Sequence, residues 1–203
     1  MNKRIGIFSG VFDPVHIGHV SFALEAAKQA RLDEVYFLVE AVPRRKTGVT
    51  HLGHRTAMIK LAVEPYPKLK LLDLPDKQFS VAKTLPRLRQ RFPDDSLIYL
   101  TGSDMLEYMP KWQLIDRLLS QMGLIVGLRG SKDIKQAQNY MKDLPVQPVE
   151  LRIINGPNPK TSSQQIRDAI MKGNKVSGLP VSEQDYIKTN WLYAAPSSSS
   201  SSS

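Results

Sequence analysis

Residues 10–19 read GVFDPVHIGH and set His16 and His19, two of the chain's four histidines, three positions apart around Gly18. They follow the apolar run RIGIFS (4–9), with a proline that ends any earlier helix. This spacing puts both imidazoles on one face of a helix's first turn, where ring N–H groups can reach phosphate oxygens. A helix N-terminus adds unpaired backbone N–H groups and a partial positive charge. Gly18 removes the side chain that would hold a phosphate away from them. Zinc is the competing chemistry, but it needs at least a third protein ligand. His51 and His54 sit in a separate segment, without a carboxylate at motif spacing. The G-x-G-x-x-G fingerprint of dinucleotide binding is missing.

A second stretch, TSSQQIR (161–167), carries compatible chemistry. Ser162 followed three residues later by Gln165 is a capping box, so a helix starts there and projects Arg167 from its first turn or so. Two helix N-termini, two histidines, serine hydroxyls and a guanidinium could then converge on one triphosphate.

Bringing residues 10–19 and 161–167 together requires a scaffold, and the intervening pattern supplies one. Apolar segments predict strands at 4–9, 34–40, 68–74, 96–102, 123–129 and 150–155. Helical spacing predicts helices at about 18–31, 51–64, 80–92, 111–121, 133–143, 162–172 and 183–190, the third with Pro86 inside it. Regular alternation implies βαβ units, hence a single α/β domain (1–194) built on an open, doubly wound parallel sheet. Ligands of such a sheet bind at the carboxyl ends of its strands, where the turn after the first strand opens. The closing AAPSSSSSSS is low-complexity, and residues 195–203 are expected to be a disordered tail.

Composition narrows the partners. The 203 residues are 41% hydrophobic and 23% charged, as in ordinary globular proteins. The absence of cysteine excludes disulfides and thiolate metal sites and fits a reducing cytoplasm. GLIVGL is the longest apolar run, too short for a membrane span. The net charge of +9 is scattered, without the interleaved aromatics of a single-strand binder, which points away from nucleic acid and leaves ordinary surface charge or a small polyanion such as a nucleotide. Homo-oligomerisation is left open.

GVFDPVHIGH closely resembles the H-x-G-H signature of the nucleotidylyltransferase superfamily, and TSSQQIR resembles its late serine-rich motif. YLTGSDMLEYMPKWQLIDRLL, LPVSEQDYIKTNWLY and VPRRK narrow the resemblance to the nicotinate-nucleotide adenylyltransferases. The resemblance implies a Rossmann-like fold and transfer of the AMP part of ATP, with magnesium, to a mononucleotide in NAD biosynthesis. It implies catalytic roles for His16, His19 and Arg167; His19, nearest the expected helix start, is expected to be the costliest to lose. ATP contacts would come from Gly10, Phe12, Gly18, Gly102, Asp104, Ser162, Ser163 and Ile166, and acceptor contacts from Lys46, Thr84 and Trp112. Plainer parts exist for some of these: Trp112 as a core aromatic, Asp104 as a helix cap, Lys46 as a solvated cation. Departures cluster on the acceptor side. FSVAKTL (79–85) keeps only Thr84 and Leu85 of the family's substrate segment, with Lys83 where an acid is expected. Arg45 replaces a histidine and Gln164 a threonine. A different phosphate acceptor, or an ATP-binding module without catalysis, are the alternatives these changes raise.

Overall fold

The computed structural model describes residues 2–42, 47–128, 133–155 and 161–195. Lys46 and Arg45, and residues 196–203 of the expected tail, lie outside them. Six strands form one sheet: β1 (Arg4–Gly10), β2 (Glu34–Val39), β3 (Leu69–Leu72), β4 (Ser96–Gly102), β5 (Gly123–Leu128) and β6 (Leu151–Asn155). Their order is β3-β2-β1-β4-β5-β6, and every pairing is parallel. The chain runs outward from β1 to one edge, then returns to β4 and runs to the other. That reversal beside β1 opens a crevice at the carboxyl ends of β1 and β4.

Among the described residues, eight α-helices cover the sheet: α1 (Ile17–Gln29), α2 (Leu52–Val63), α3 (Val81–Arg91), α4 (Ser103–Leu106), α5 (Ile115–Gln121), α6 (Asp133–Lys142), α7 (Ser163–Met171) and α8 (Val181–Thr189). Because side chains alternate along a strand and both faces are covered, the inner strands β1, β4 and β5 are apolar over most of their length. Phe8, Phe37, Leu100 and Ile125 pack with Val20, Met58, Ile59, Ile166 and Ile187 of α1, α2, α7 and α8. On the opposite face Ile7, Leu38, Tyr99 and Val126 pack with Leu85, Leu88, Leu118 and Met141 of α3, α5 and α6.

The segment after β4 is less regular than its sequence pattern suggests. In place of one helix from 111, a helical turn (α4) and a 3-10 turn over Met109–Lys111 precede α5. Leu114, at φ 59°, breaks the run in the left-handed region, and α5 starts only at Ile115. Pro86 is accommodated within α3. Among the described residues, no helix is long and apolar enough to cross a membrane.

Candidate active site

A cleft of about 1050 Å³ lies at the crevice. Gly10, Phe12, His16 and His19 form one wall, Gly102, Asp104 and Trp112 another, and Ser162, Ser163 and Arg167 a third. The structure thus brings ten of the thirteen described residues expected at the site to one place. Gly18, Thr84 and Ile166 do not line it. Thr84 is fully buried, and its hydroxyl accepts from Ser80 N at 2.9 Å, closing the start of α3. Ile166 is packed into the core at 2% exposure. The side chains of these two positions pack inward and do not line the cleft.

The histidine motif is folded back on itself. His16 is the N-cap of α1, not part of its first turn; its Nδ1 accepts from Gly18 N at 3.1 Å. His19 Nδ1 accepts from His16 N at 3.2 Å, which completes a reciprocal capping box. The rings stack with centroids 3.7 Å apart. With both Nδ1 atoms accepting, the neutral rings carry their proton on Nε2. The motif therefore fixes tautomer as well as position, and both rings line the cleft wall.

This arrangement corrects the expected part played by the backbone. The first N–H groups of α1 are already used: Ile17 N donates to Gly178 O at 2.9 Å, Gly18 N to His16 Nδ1, and His19 N to His16 O at 2.9 Å. Gly18 serves the cap, and the two imidazoles line the cleft.

Phe12 lies in the left-handed region at φ 50°, a costly conformation for an aromatic residue. Ring packing on Phe8 at 5.2 Å, Phe37 at 5.3 Å and His19 at 5.0 Å holds it. Gly10 makes room, since a Cβ there would meet the Phe12 ring at 2.9 Å.

The late motif forms as its sequence implies. Ser162 Oγ accepts from Gln165 N at 3.2 Å, and Ser162 N donates to Gln165 Oε1 at 3.1 Å. It is also tied to the first motif. Ser163 Oγ donates to Pro14 O at 2.8 Å, and Arg167 Nη1 to Asp13 O at 2.6 Å, with Gln164 accepting from Nη2. One loop thus depends on side chains roughly 150 positions away.

Three supporting residues were missed in the sequence. Arg55, 1% exposed, donates to the carbonyls of Thr50, Val11, Glu40 and Ala41 at 2.7–3.0 Å. Burial lowers its pKa, partly opposed by Asp13. Asp13, 4% exposed, accepts from Tyr193 Oη at 2.7 Å and Thr50 N at 3.3 Å. Glu40 lines the cleft and accepts from Ser9 Oγ and Phe79 N at 3.2 and 3.4 Å. Arg55 and Asp13 follow or precede histidines in sequence, but nothing local marks them as partners of distant carbonyls.

Trp112 meets Tyr99 edge-on at 6.0 Å and Phe79 at 6.1 Å. It is both a packing aromatic and a cleft-lining residue. Asp104 sits exposed at the second position of α4, whose cap is Gly102.

Comparison with known proteins agrees with this layout. Residues 7–169 match the cytidylyltransferase-like family model. The nicotinate-nucleotide adenylyltransferase of Bacillus subtilis is 34% identical over 94% of this chain and 98% of its own. A nicotinic acid mononucleotide adenylyltransferase of Plasmodium falciparum, solved with NaAD, superposes with a TM-score of 0.78 at 21% identity, covering 95% of this chain and 98% of that one. The same Plasmodium protein solved with APC gives 0.76. The first pair of matches establishes kinship and the second the fold: the chain belongs to the cytidylyltransferase-like family and, within it, to the nicotinate-nucleotide adenylyltransferases.

Proposed function

We propose that the chain transfers the adenylyl group of ATP to nicotinate mononucleotide in NAD biosynthesis. An oxygen of the mononucleotide phosphate attacks the α-phosphorus of ATP, the bond from that phosphorus to the β-phosphate oxygen breaks, and pyrophosphate leaves. The observation that carries this reading is the joint one: kinship runs the length of the chain, and both motifs inside it face one cleft.

The attacking phosphate is largely a dianion near neutral pH, its second pKa being about 6, so no protein base is needed to activate it. Catalysis reduces to alignment and to stabilising charge on the transferred and leaving phosphates. The Nε2–H donors of His16 and His19, Arg167 and the Ser162 hydroxyl suit that task. Trp112 gives the acceptor ring an aromatic face. Among the described residues, no group of three or more His or acidic side chains could hold a metal ion. Magnesium is read as part of the ATP substrate, where it would offset phosphate charge.

The altered segment 79–85 does not line the cleft. Phe79, Val81, Thr84 and Leu85 are core, while Ala82 and Lys83 are exposed on α3. This favours nicotinate mononucleotide over a changed acceptor. The test is pyrophosphate release from ATP and magnesium with nicotinate mononucleotide, nicotinamide mononucleotide and phosphopantetheine offered separately. Release chiefly with nicotinate mononucleotide is expected; release only with another acceptor overturns the assignment.

A further inference from the structure

Loop 11–16, which carries Phe12 and His16, has no strand ladder or helix of its own, and contributions from distant parts of the chain hold it. Main-chain carbonyls of Val11, Asp13 and Pro14 are pinned by Arg55, Arg167 and Ser163, and Ile17 N is pinned by Gly178 O. The Asp13 carboxylate of this loop is buried, at 4% exposure. Its Oδ2 takes Thr50 N, and its Oδ1 takes the phenol of Tyr193, 180 positions later.

The turn that presents this phenol is built against local preference. Trp191 and Tyr193 both lie in the left-handed region, at φ 53° and 60°. Trp191 is left 83% exposed while Leu192 and Tyr193 pack on the core. The chain thus accepts an exposed tryptophan and two unfavourable backbone conformations to seat one phenol against Asp13. Burial pushes the Tyr193 pKa up, opposed by a hydrogen bond with Thr50 and helped by the hydrogen bond to Asp13 and its charge, so it stays a donor at neutral pH.

We propose that Tyr193 is a positioning residue for adenylyl transfer: through Asp13 it fixes the loop that sets His16, and with it the stacked His19, on the cleft wall. This rests on the adenylyltransferase reading above. Tyr193→Phe retains the ring that packs on the core and removes only the donor, which leaves Asp13 Oδ1 unpaired in a buried place. Misplacing reacting groups by an ångström or less is costly in rate.

The experiment compares wild type with Tyr193→Phe in kcat, in KM for nicotinate mononucleotide, in calorimetric ATP affinity without acceptor, and in melting temperature. The expected result is a kcat lower by about tenfold and ATP binding weakened about threefold, with KM for the mononucleotide and cooperative melting retained. Asp13→Asn combined with Tyr193→Phe should do no more harm than Asp13→Asn alone. A variant with wild-type kcat and ATP affinity, whether or not it melts earlier, overturns the proposal. So does additivity of the two changes. A wild type that binds ATP but releases no pyrophosphate would overturn the adenylyltransferase reading itself, and the ATP affinities would still decide the role of Tyr193.

Discussion

Residues 16–19 read His-Ile-Gly-His and residues 51–54 read His-Leu-Gly-His, so the chain carries the same pattern twice. Both first histidines cap a helix and accept from the glycine N–H two positions on, at 3.1 Å for His16 and 3.2 Å for His51. The second histidines differ. His19 turns back to His16 N and stacks on its ring, whereas His54 pairs through Nδ1 with Tyr186 Oη at 2.9 Å. The first pair lines the cleft and the second does not. Pattern alone therefore makes a helix cap. A cleft-lining pair also needs the strand that delivers it to the crevice and the Phe12 ring beside it.

The sharpest way to break this comparison is to truncate each pair in turn. His16→Ala or His19→Ala should lower kcat about a hundredfold, the effect of losing one preorganised donor, or ~3 kcal/mol. His51→Ala and His54→Ala should leave it within about twofold. Equal losses in both pairs would erase the distinction. Steady-state pyrophosphate release reads all four.

Arg55 comes next, because it is where the second segment does support the site. Arg55→Met removes a buried guanidinium from four carbonyls and should cost about 3 kcal/mol in urea unfolding, with loss of activity as the loop after β1 loosens. An unfolding midpoint unchanged by Arg55→Met would mean that the guanidinium does not organise these loops.

The strands, most helices and the Ser162–Gln165 box were legible because each rests on local information: apolar runs, 3.6-residue spacing, a serine and a glutamine three apart. The convergence of residues 10–19 and 161–167 followed from the sheet's handedness, which short-range rules also supply. What stayed hidden is long-range or steric. Gly178 O occupies the N–H of Ile17, so the open helix end expected at α1 is closed by a residue about 160 positions away. Leu114 turns left-handed without a glycine to announce it. Arg55 reads as one more cation in a basic chain until its burial is known. Thr84 and Ile166 carry motif letters, yet their side chains pack inward.

Smaller effects refine the contrast. Ser162→Ala should cost about 1 kcal/mol of stability through the lost cap, with a modest fall in kcat. Matching kcat values for wild type and variant would confine Ser162 to capping. Tyr186→Phe deletes the partner of His54 and should cost less than about 1 kcal/mol, with no change in kcat; thermal melting and initial rates read both.

The most direct test of the central claim is a long-range nitrogen–proton NMR spectrum of the four imidazoles, recorded before and after ATP is added. His16 and His19 should show the Nε2–H form, and their Nε2 signals should move most on ATP binding, while those of His51 and His54 stay nearly still. Protonation of His16 and His19 at Nδ1, or an ATP response centred on His51 and His54, would contradict the account.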